Sequence, residues 1–179
     1  MMLVPTQMPP TEFHRPLIIG RIGDGHAETV VASDAECAAL ALRMGLPAIS
    51  ALRCSFTLRP TGKSGFAADG RLVAWVIQTC VVSLEDFAAE IDEAFRIRFV
   101  PAERLGPTDD MGAVDDPDSE DEIPFHGTII DLGEAASEQL ALVLDPYPRA
   151  PGALHSEPDG HDDRPPHPFA GLAKRQSGG

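Results

Sequence analysis

The sequence predicts an α+β fold, in which a largely antiparallel sheet or a partly closed barrel carries about three flanking helices. Three segments begin with helix-capping residues and continue with apolar residues at helical spacing. Between them lie short segments that are typical of strands, some with apolar and polar residues in alternation. The order is roughly β-β-α-β-β-α-β-β-α, and it favours antiparallel hairpins over a doubly wound parallel sheet.

Each predicted helix starts at a capping side chain that stands three residues before an acid, in Ser33–Glu36, Ser83–Asp86 and Asp131–Glu134. The cap oxygen can accept hydrogen bonds from first-turn N–H groups, and the acid favours the positive end of the helix. We therefore expect three helices. The apolar residues at helical spacing are Cys37, Leu40, Ala41 and Met44 in the first, Phe87, Ile91 and Ala94 in the second, and Ala136, Leu140, Val143 and Leu144 in the third.

One long segment predicts a central strand, and four shorter ones predict further strands. The run Leu72–Val82 is apolar at both parities, which indicates a strand covered on both faces. Turns are predicted at Thr61–Gly65 and at Asp69-Gly70, because Gly and Asp-Gly pairs favour turns. The shorter strands are predicted at residues 28–31, 52–59, 95–99 and 128–130.

Charge is distributed unevenly along the chain. The 179 residues carry 28 acidic and 14 basic side chains, for a formal net charge of −14. Residues 1–101 hold nine basic and eleven acidic side chains, whereas residues 102–179 hold five and seventeen. The total argues against a protein that coats nucleic acid with a uniformly basic surface, and it fits a soluble protein with a basic partner. The first hundred residues are near neutral and can still expose a basic face.

The composition predicts a single domain over residues 1–149, followed by a tail. Residues 102–123 are acidic and contain Pro and Gly, so we expect an exposed mobile loop inserted in the domain. Residues 150–179 are rich in Pro, Gly, His and Asp, and we expect them to be mostly disordered. Within that tail, Pro168–Arg175 is an apolar segment with a basic end, suited either to packing on the domain or to docking on a partner.

The sequence predicts no cofactor, no metal site and no membrane segment. The three cysteines, Cys37, Cys54 and Cys80, are an odd number at long spacings, which implies no disulfide framework. The first residues lack the apolar run of a signal peptide. The longest apolar stretch, Leu72–Ile77, is far shorter than the ~18 residues that span a bilayer. We therefore expect a cytoplasmic protein.

The candidate catalytic motifs have simpler interpretations. Gly62-Lys63-Ser64 matches the end of a phosphate loop, but that motif requires Gly where this chain has Thr57, so a basic hairpin turn is the better interpretation. For Cys80 and His126, a structural role is the commoner case. No base and nucleophile can be paired from the sequence, which therefore predicts a protein that is not an enzyme.

Two charged sets are candidate binding residues. The basic set forms either a patch for RNA phosphates or a solvated face balanced by local acids. Its members are Arg53, Arg59, Lys63, Arg71, Arg96 and Arg98. The acidic set falls in fourteen residues without Lys or Arg and is a candidate for holding a basic protein. Its members are Asp109, Asp110, Asp115, Asp116, Asp118, Glu120, Asp121 and Glu122.

Two stretches resemble the YceD family, the bacterial and chloroplast proteins linked to accumulation of large-subunit ribosomal RNA. The first runs from Gln78–Glu85 to Phe95–Pro101, and the second from Ile130–Glu134 through residues 138–153. The acidic insertion and the end of the tail are similar to the alphaproteobacterial branch. The residues that match the family motifs, for which we expect structural roles, are Gln78, Cys80, Asp131, Gly133, Glu134, Asp145, Pro146, Tyr147, Pro148 and Arg149.

The resemblance implies a non-enzymatic factor in biogenesis of the large ribosomal subunit, which supports accumulation of 23S ribosomal RNA. Many family members carry a Cys-x-x-Cys pair where this chain has Ile77 and Cys80, so a two-cysteine site is incomplete here. Two kinds of partner remain as alternatives. Either the basic residues bind ribosomal RNA or a pre-large-subunit particle, or the acidic loop acts as an escort for a basic ribosomal protein.

Overall fold

The computed structural model describes residues 12–62, 65–104 and 121–153. This part of the chain contains seven strands and two α-helices. The strands are β1 (Pro16–Ile18), β2 (His26–Val31), β3 (Ala48–Thr61), β4 (Gly65–Thr79), β5 (Asp86–Pro101), β6 (Asp121–Phe125) and β7 (Ile129–Asp131). The helices are α1 (Asp34–Met44) and α2 (Leu132–Val143), and Ile19–Arg21 and Ala102–Arg104 form short 3-10 turns.

The strands form an open five-stranded sheet and a small two-stranded one. The large sheet has the order β2-β3-β4-β5-β6, antiparallel throughout except between β5 and β6, which are parallel. β1 and β7 form the small antiparallel sheet. The predicted α+β fold, with a largely antiparallel sheet or partly closed barrel and about three helices, is therefore wrong. The large sheet is mixed and does not close, strand predominates, and the described residues contain two α-helices.

The segment predicted as the second helix, starting at Ser83, is instead the entry to β5. Phe87 and Ile91 are four residues apart, and this spacing puts side chains on one face of a helix and equally on one face of a strand. Residues 86–99 pair with β4 in an unbroken register. That pairing supplies backbone partners along both strands, so a long-range contact overrides the local pattern.

The predicted central strand is longer and less covered than expected. β4 begins at Gly65 and continues through the predicted turn at Asp69-Gly70. Leu72 and Val76 are buried on the inner face, whereas Trp75 on the opposite face keeps 46% of its surface exposed. β4 thus lies in the middle of the sheet, but the described elements cover only one of its faces.

Gly70 makes room for an aromatic pair on the inner face. In the sheet it stands between Phe56 of β3 and Phe95 of β5. The Phe95 ring lies over Gly70, where a Cβ would be 2.1 Å from the ring. The same ring meets Phe56 edge to face, with the ring centroids 5.8 Å apart. Close packing, and not a turn, therefore requires glycine here.

Both helices contribute to one core on the inner face, where Leu40 of α1 and Leu140 of α2 are fully buried with the inward side chains of the strands. α1 begins with the predicted capping box, in which Ser33 and Glu36 exchange hydrogen bonds between side chain and backbone. α2 is capped by Asp131, whose side chain accepts from two first-turn N–H groups. These two helix starts confirm the sequence prediction.

The predicted loop at residues 102–123 and the predicted tail at residues 150–179 lie mostly outside the described residues. At the ends of the loop, Ala102–Arg104 forms a 3-10 turn and residues 121–123 belong to β6. The tail is described as far as Ala153.

Glu36 is held by a bidentate ion pair. Arg15 donates Nη1 and Nη2 to its two carboxylate oxygens at 2.7 and 2.8 Å, and the Ser33 N–H donates at 2.7 Å. Because these bonds favour the charged form, they lower the pKa of Glu36 from 4.5 to about 2. The ion pair joins the N-terminal segment to the first turn of α1.

We expect Glu36→Gln to reduce the pH dependence of stability in acid. A carboxylate whose pKa is lowered on folding stabilises the fold above its unfolded pKa, and this contribution is lost as the pH falls through the folded pKa. The window for Glu36 is therefore about pH 4.5 down to about pH 2. Urea unfolding at several pH values measures the slope of the unfolding free energy against pH. Glu93→Gln, at an exposed position, is the control. Equal slopes for both variants would contradict this assignment.

Candidate functional site

The outer face of the large sheet carries five of the six basic candidates. These side chains alternate along β3, β4 and β5 with the buried residues of the same strands, so they point away from the core. We call this surface the arginine face, and it contains Arg53, Arg59, Arg71, Arg96 and Arg98. The sixth candidate, Lys63, lies outside the described residues.

Two aspartates on the same surface hold three of these arginines. Asp69 lies between Arg59 and Arg96 and forms an ion pair with each, at 3.1 Å from Arg96 Nε. Arg71 donates Nε and Nη2 to the two carboxylate oxygens of Asp92 at 2.7 and 2.6 Å, which lowers the pKa of Asp92. Exposed ion pairs of this kind contribute little to stability, so a phosphate can take the place of the carboxylate.

The other two arginines differ in their surroundings. Arg98 Nη1 lies 3.5 Å from Oε1 of Glu122 on β6. Arg53 is exposed and forms no side-chain hydrogen bond or ion pair with any residue that the structure describes. Its guanidinium can therefore bind an anion without displacing a carboxylate.

Trp75, the single tryptophan of the chain, lies close to Arg53 on the arginine face. The register pairs Arg53 with Val73, so Trp75 is its diagonal neighbour on the adjacent strand. An exposed indole can stack on a nucleic-acid base while a nearby guanidinium binds phosphate. Trp75 is absent from the predicted site residues because the apolar run Leu72–Val82 predicted a strand covered on both faces. Trp75 is four residues from Arg71, and in a strand this even spacing places both side chains on the same face.

The acidic candidates are described only in part. Asp121 is exposed on β6, and Glu122 on the same strand faces Arg98. The remaining acidic candidates lie outside the described residues, and they are Asp109, Asp110, Asp115, Asp116, Asp118 and Glu120.

Asp131, the first residue of the Asp-Leu-Gly-Glu motif, ties the N-terminal segment to α2. Its Oδ1 accepts from the N–H groups of Arg15 at 2.8 Å and Gly133 at 3.0 Å, and its Oδ2 bonds to Nδ1 of His14. Burial acts to raise the pKa of Asp131, but the hydrogen bonds from Arg15 and His14 outweigh it and keep the pKa below its usual value. Asp131 thus caps the helix and fixes a segment more than a hundred residues away in sequence.

Gly133 and Glu134 of this motif connect α2 to the N-terminal segment and to α1. A Cβ at position 133 would lie 2.2 Å from the carbonyl oxygen of Phe13, so Gly133 allows this backbone to cross the helix start. Glu134 accepts from Arg43 Nη2 at 2.7 Å and Nη1 at 3.1 Å, and Arg43 also donates to Glu12 at 3.0 Å. Since Arg43 belongs to α1, the motif joins both helices and the N-terminal segment.

The turn Asp145–Arg149 docks on the end of β4. Gln78 Nε2 donates to the carbonyl of Asp145 at 3.4 Å, and the Val81 N–H donates to the carbonyl of Pro148 at 2.9 Å. The Asp145 carboxylate accepts from the Tyr147 N–H at 2.8 Å, and the Tyr147 ring remains exposed. The motif residues of the two family-like stretches therefore meet in space.

Cys80 is fully buried at the turn between β4 and β5. Its Sγ accepts from the N–H groups of Val82 and Ser83, both at 3.4 Å. Hydrogen bonds from the Ser83 hydroxyl and N–H, together with those from the backbone of Ala150 and Val82, lower the pKa of the Cys80 thiol to about 6. The thiol organises this turn and the adjacent Asp145–Arg149 turn.

A protein-family model for the large ribosomal RNA subunit accumulation protein YceD matches residues 68–174, which is more than half of the chain. The chain belongs to the YceD family. This confirms the resemblance seen in the sequence, and the match includes Gln78, Cys80 and both later motifs. Searches of curated proteins and of solved structures found no match to this YceD chain.

YceD membership gives the protein a role in accumulation of large-subunit ribosomal RNA in bacteria. The family description names an accumulation factor and not an enzyme. The YceD match includes Arg71, Trp75 and Arg96 but begins after Arg53 and Arg59. Within the described ranges, no helix combines the length and apolarity needed to cross a membrane.

Proposed function

We propose that this YceD protein is a non-enzymatic factor that supports accumulation of 23S ribosomal RNA by binding RNA, or a pre-large-subunit particle, through the arginine face. The observation that carries the proposal is the placement of five arginines and the exposed Trp75 on the one sheet face that no described helix covers. A protein that binds pre-ribosomal particles in a bacterium acts in the cytoplasm.

The ion pairs explain how an acidic protein can bind RNA selectively. Asp69 and Asp92 offset two of the three positive charges of Arg59, Arg71 and Arg96, so the face lacks the strong positive field that draws a protein to any nucleic acid. A phosphate must compete with these carboxylates for Arg59, Arg71 and Arg96. Only RNA whose phosphates match several arginines at once, with a base placed on Trp75, gains enough contacts to bind.

Charge reversal on the arginine face tests this function. We expect Arg53→Glu, Arg59→Glu and Arg98→Glu together to reduce co-sedimentation with pre-large-subunit particles at least about tenfold, since phosphate contacts become repulsive. The milder Arg→Gln triple variant keeps the surface free of new acids and should give a smaller loss. Arg21→Glu, in the turn after β1, is a single charge-reversal control outside the arginine face.

Two further readouts complete this test. Circular dichroism establishes that each variant is folded, and Trp75→Ala should weaken RNA binding without changing the net charge. Unchanged co-sedimentation of the folded triple Glu variant would overturn the proposal.

A second candidate function is that of an acidic escort for a basic ribosomal protein. The acidic set within residues 109–122 favours it, and of this set Asp121 is exposed at the edge of the sheet. Pull-down from cell extract with and without nuclease separates the two functions. Loss of the partners after nuclease treatment supports RNA binding, whereas a basic ribosomal protein that survives the treatment supports the escort.

A further inference from the structure

β5 has an open edge along most of its length. β4 pairs with it from Asp86 onwards, whereas β6 pairs with it only from Ile97 to Pro101. Residues 86–96 therefore have a neighbouring strand on one side and, within the described ranges, no strand on the other. β2, at the opposite edge of the sheet, has only six residues. The open part of β5 is thus the longer of the two edges.

The backbone of this edge is available for pairing. About every second residue of an edge strand directs its N–H and C=O groups away from its neighbour. Within the described ranges, residues 86–96 are paired only with β4. The side chains along the edge are exposed or half-buried, so the described chain leaves room for another strand.

The acidic side chains along this edge favour a basic partner. Residues 86–96 contain four acids and a single base, Arg96, which forms an ion pair with Asp69. Glu90 belongs to the outer-face side chains and Glu93 to the inner-face ones, and both are exposed. An added strand would therefore meet a carboxylate on each face. Antiparallel addition of a second copy of β5 would bring acids close to acids, which is unfavourable.

We propose that residues 86–96 of β5 bind an extended basic segment of a partner protein as an added strand. Main-chain hydrogen bonds to the open edge supply affinity, and Lys or Arg side chains reach Glu90 and Glu93. Asp92 remains with Arg71 on the arginine face. This edge adjoins the arginine face and shares Arg96 with it, but its main-chain groups take no part in the proposed RNA binding.

A labelled peptide of about ten residues, which carries Lys on both strand faces among Val and Thr residues, tests the proposal by fluorescence anisotropy with the full chain. We expect binding in the micromolar range or somewhat weaker, and a loss of about tenfold or more when every second peptide amide is N-methylated, because methylation removes hydrogen bonds and keeps the charge. Glu90→Gln with Glu93→Gln should also weaken binding several-fold at low salt. The Arg53→Glu, Arg59→Glu, Arg98→Glu variant leaves the edge acids in place and adds only negative charge, so it should bind the peptide at least as tightly.

Amide hydrogen exchange locates the peptide. Outward-directed amides within residues 86–96 should gain protection when the peptide is added, and those of β2 should not. Equal affinity of the N-methylated peptide, protection at β2 instead, or no binding at millimolar peptide would each overturn the proposal. So would a concentration-dependent dimer that protects the same amides without peptide. Co-sedimentation of the Glu90→Gln, Glu93→Gln variant with pre-large-subunit particles reports separately on the RNA function.

Discussion

Replacing Gly133 with Ala should destabilise the fold by about 3 kcal/mol, one of the largest effects expected for any single substitution in this chain. The new Cβ would lie 2.2 Å from the carbonyl oxygen of Phe13 and 3.0 Å from the backbone nitrogen of Arg15. Neither atom can move freely, because Leu132 N–H donates to the Arg15 carbonyl at 3.0 Å and the Arg15 N–H donates to Asp131 at 2.8 Å. The N-terminal segment must therefore leave its place, and the fully buried Phe13 with it.

Gly20→Ala is the matched control for this substitution. It adds the same methyl group at a glycine that has no atom within 4 Å of the new Cβ and whose φ is not positive. We expect a change within about 0.5 kcal/mol in guanidinium unfolding. If the two variants unfolded at the same denaturant concentration, the close approach at Gly133 would not matter for stability.

Gly70→Val should be comparably damaging, at about 3 kcal/mol, because its side chain would occupy the place of the Phe95 ring. The ring would have to leave both Gly70 and its edge-to-face contact with Phe56. Thermal or chemical unfolding measures the loss of stability. Ala94→Val, at an exposed position on the opposite face of the same sheet, adds apolar volume without a clash and should be nearly neutral.

A double-mutant cycle assigns this effect to the ring. Phe95→Ala removes the aromatic ring and is itself destabilising, but it frees the space over position 70. The Gly70→Val, Phe95→Ala variant should therefore be more stable than the sum of the single effects predicts, by about 1 kcal/mol or more. Additive effects would exclude the steric explanation.

Local chemistry was sufficient to predict the starts of both helices. The Ser33–Glu36 box and the Asp131 cap act within one turn of chain, so residues close in sequence supply most of the determining contacts. The false helix at Ser83–Asp86 had a similar start. There the outcome depended on β4, whose pairing with β5 along fourteen residues could not be read from the local pattern.

The arginines of the candidate RNA-binding site could be predicted from the sequence, but the acids that form ion pairs with them could not. Alternation along β3 and β5 was enough to place Arg53 with Arg59, and Arg96 with Arg98, on exposed strand faces. The acids that accompany them come from other strands, and which arginine meets Asp69 or Asp92 depends on the register between strands. The sequence does not encode that register in any short segment, and the same is true of the open edge of β5.

The contact between Asp131 and the segment around Arg15 spans 116 residues of sequence. During synthesis, at about 5 to 20 residues per second, the first partner waits roughly 6 to 23 seconds before the second is made. β1 cannot pair with β7 until then, and the nascent chain carries Phe13 without its final binding site. The contacts between the N-terminal segment and α2 can therefore form only late in synthesis. A chain cut short before residue 131 lacks these contacts, so proteases in the cell should distinguish it from the finished protein.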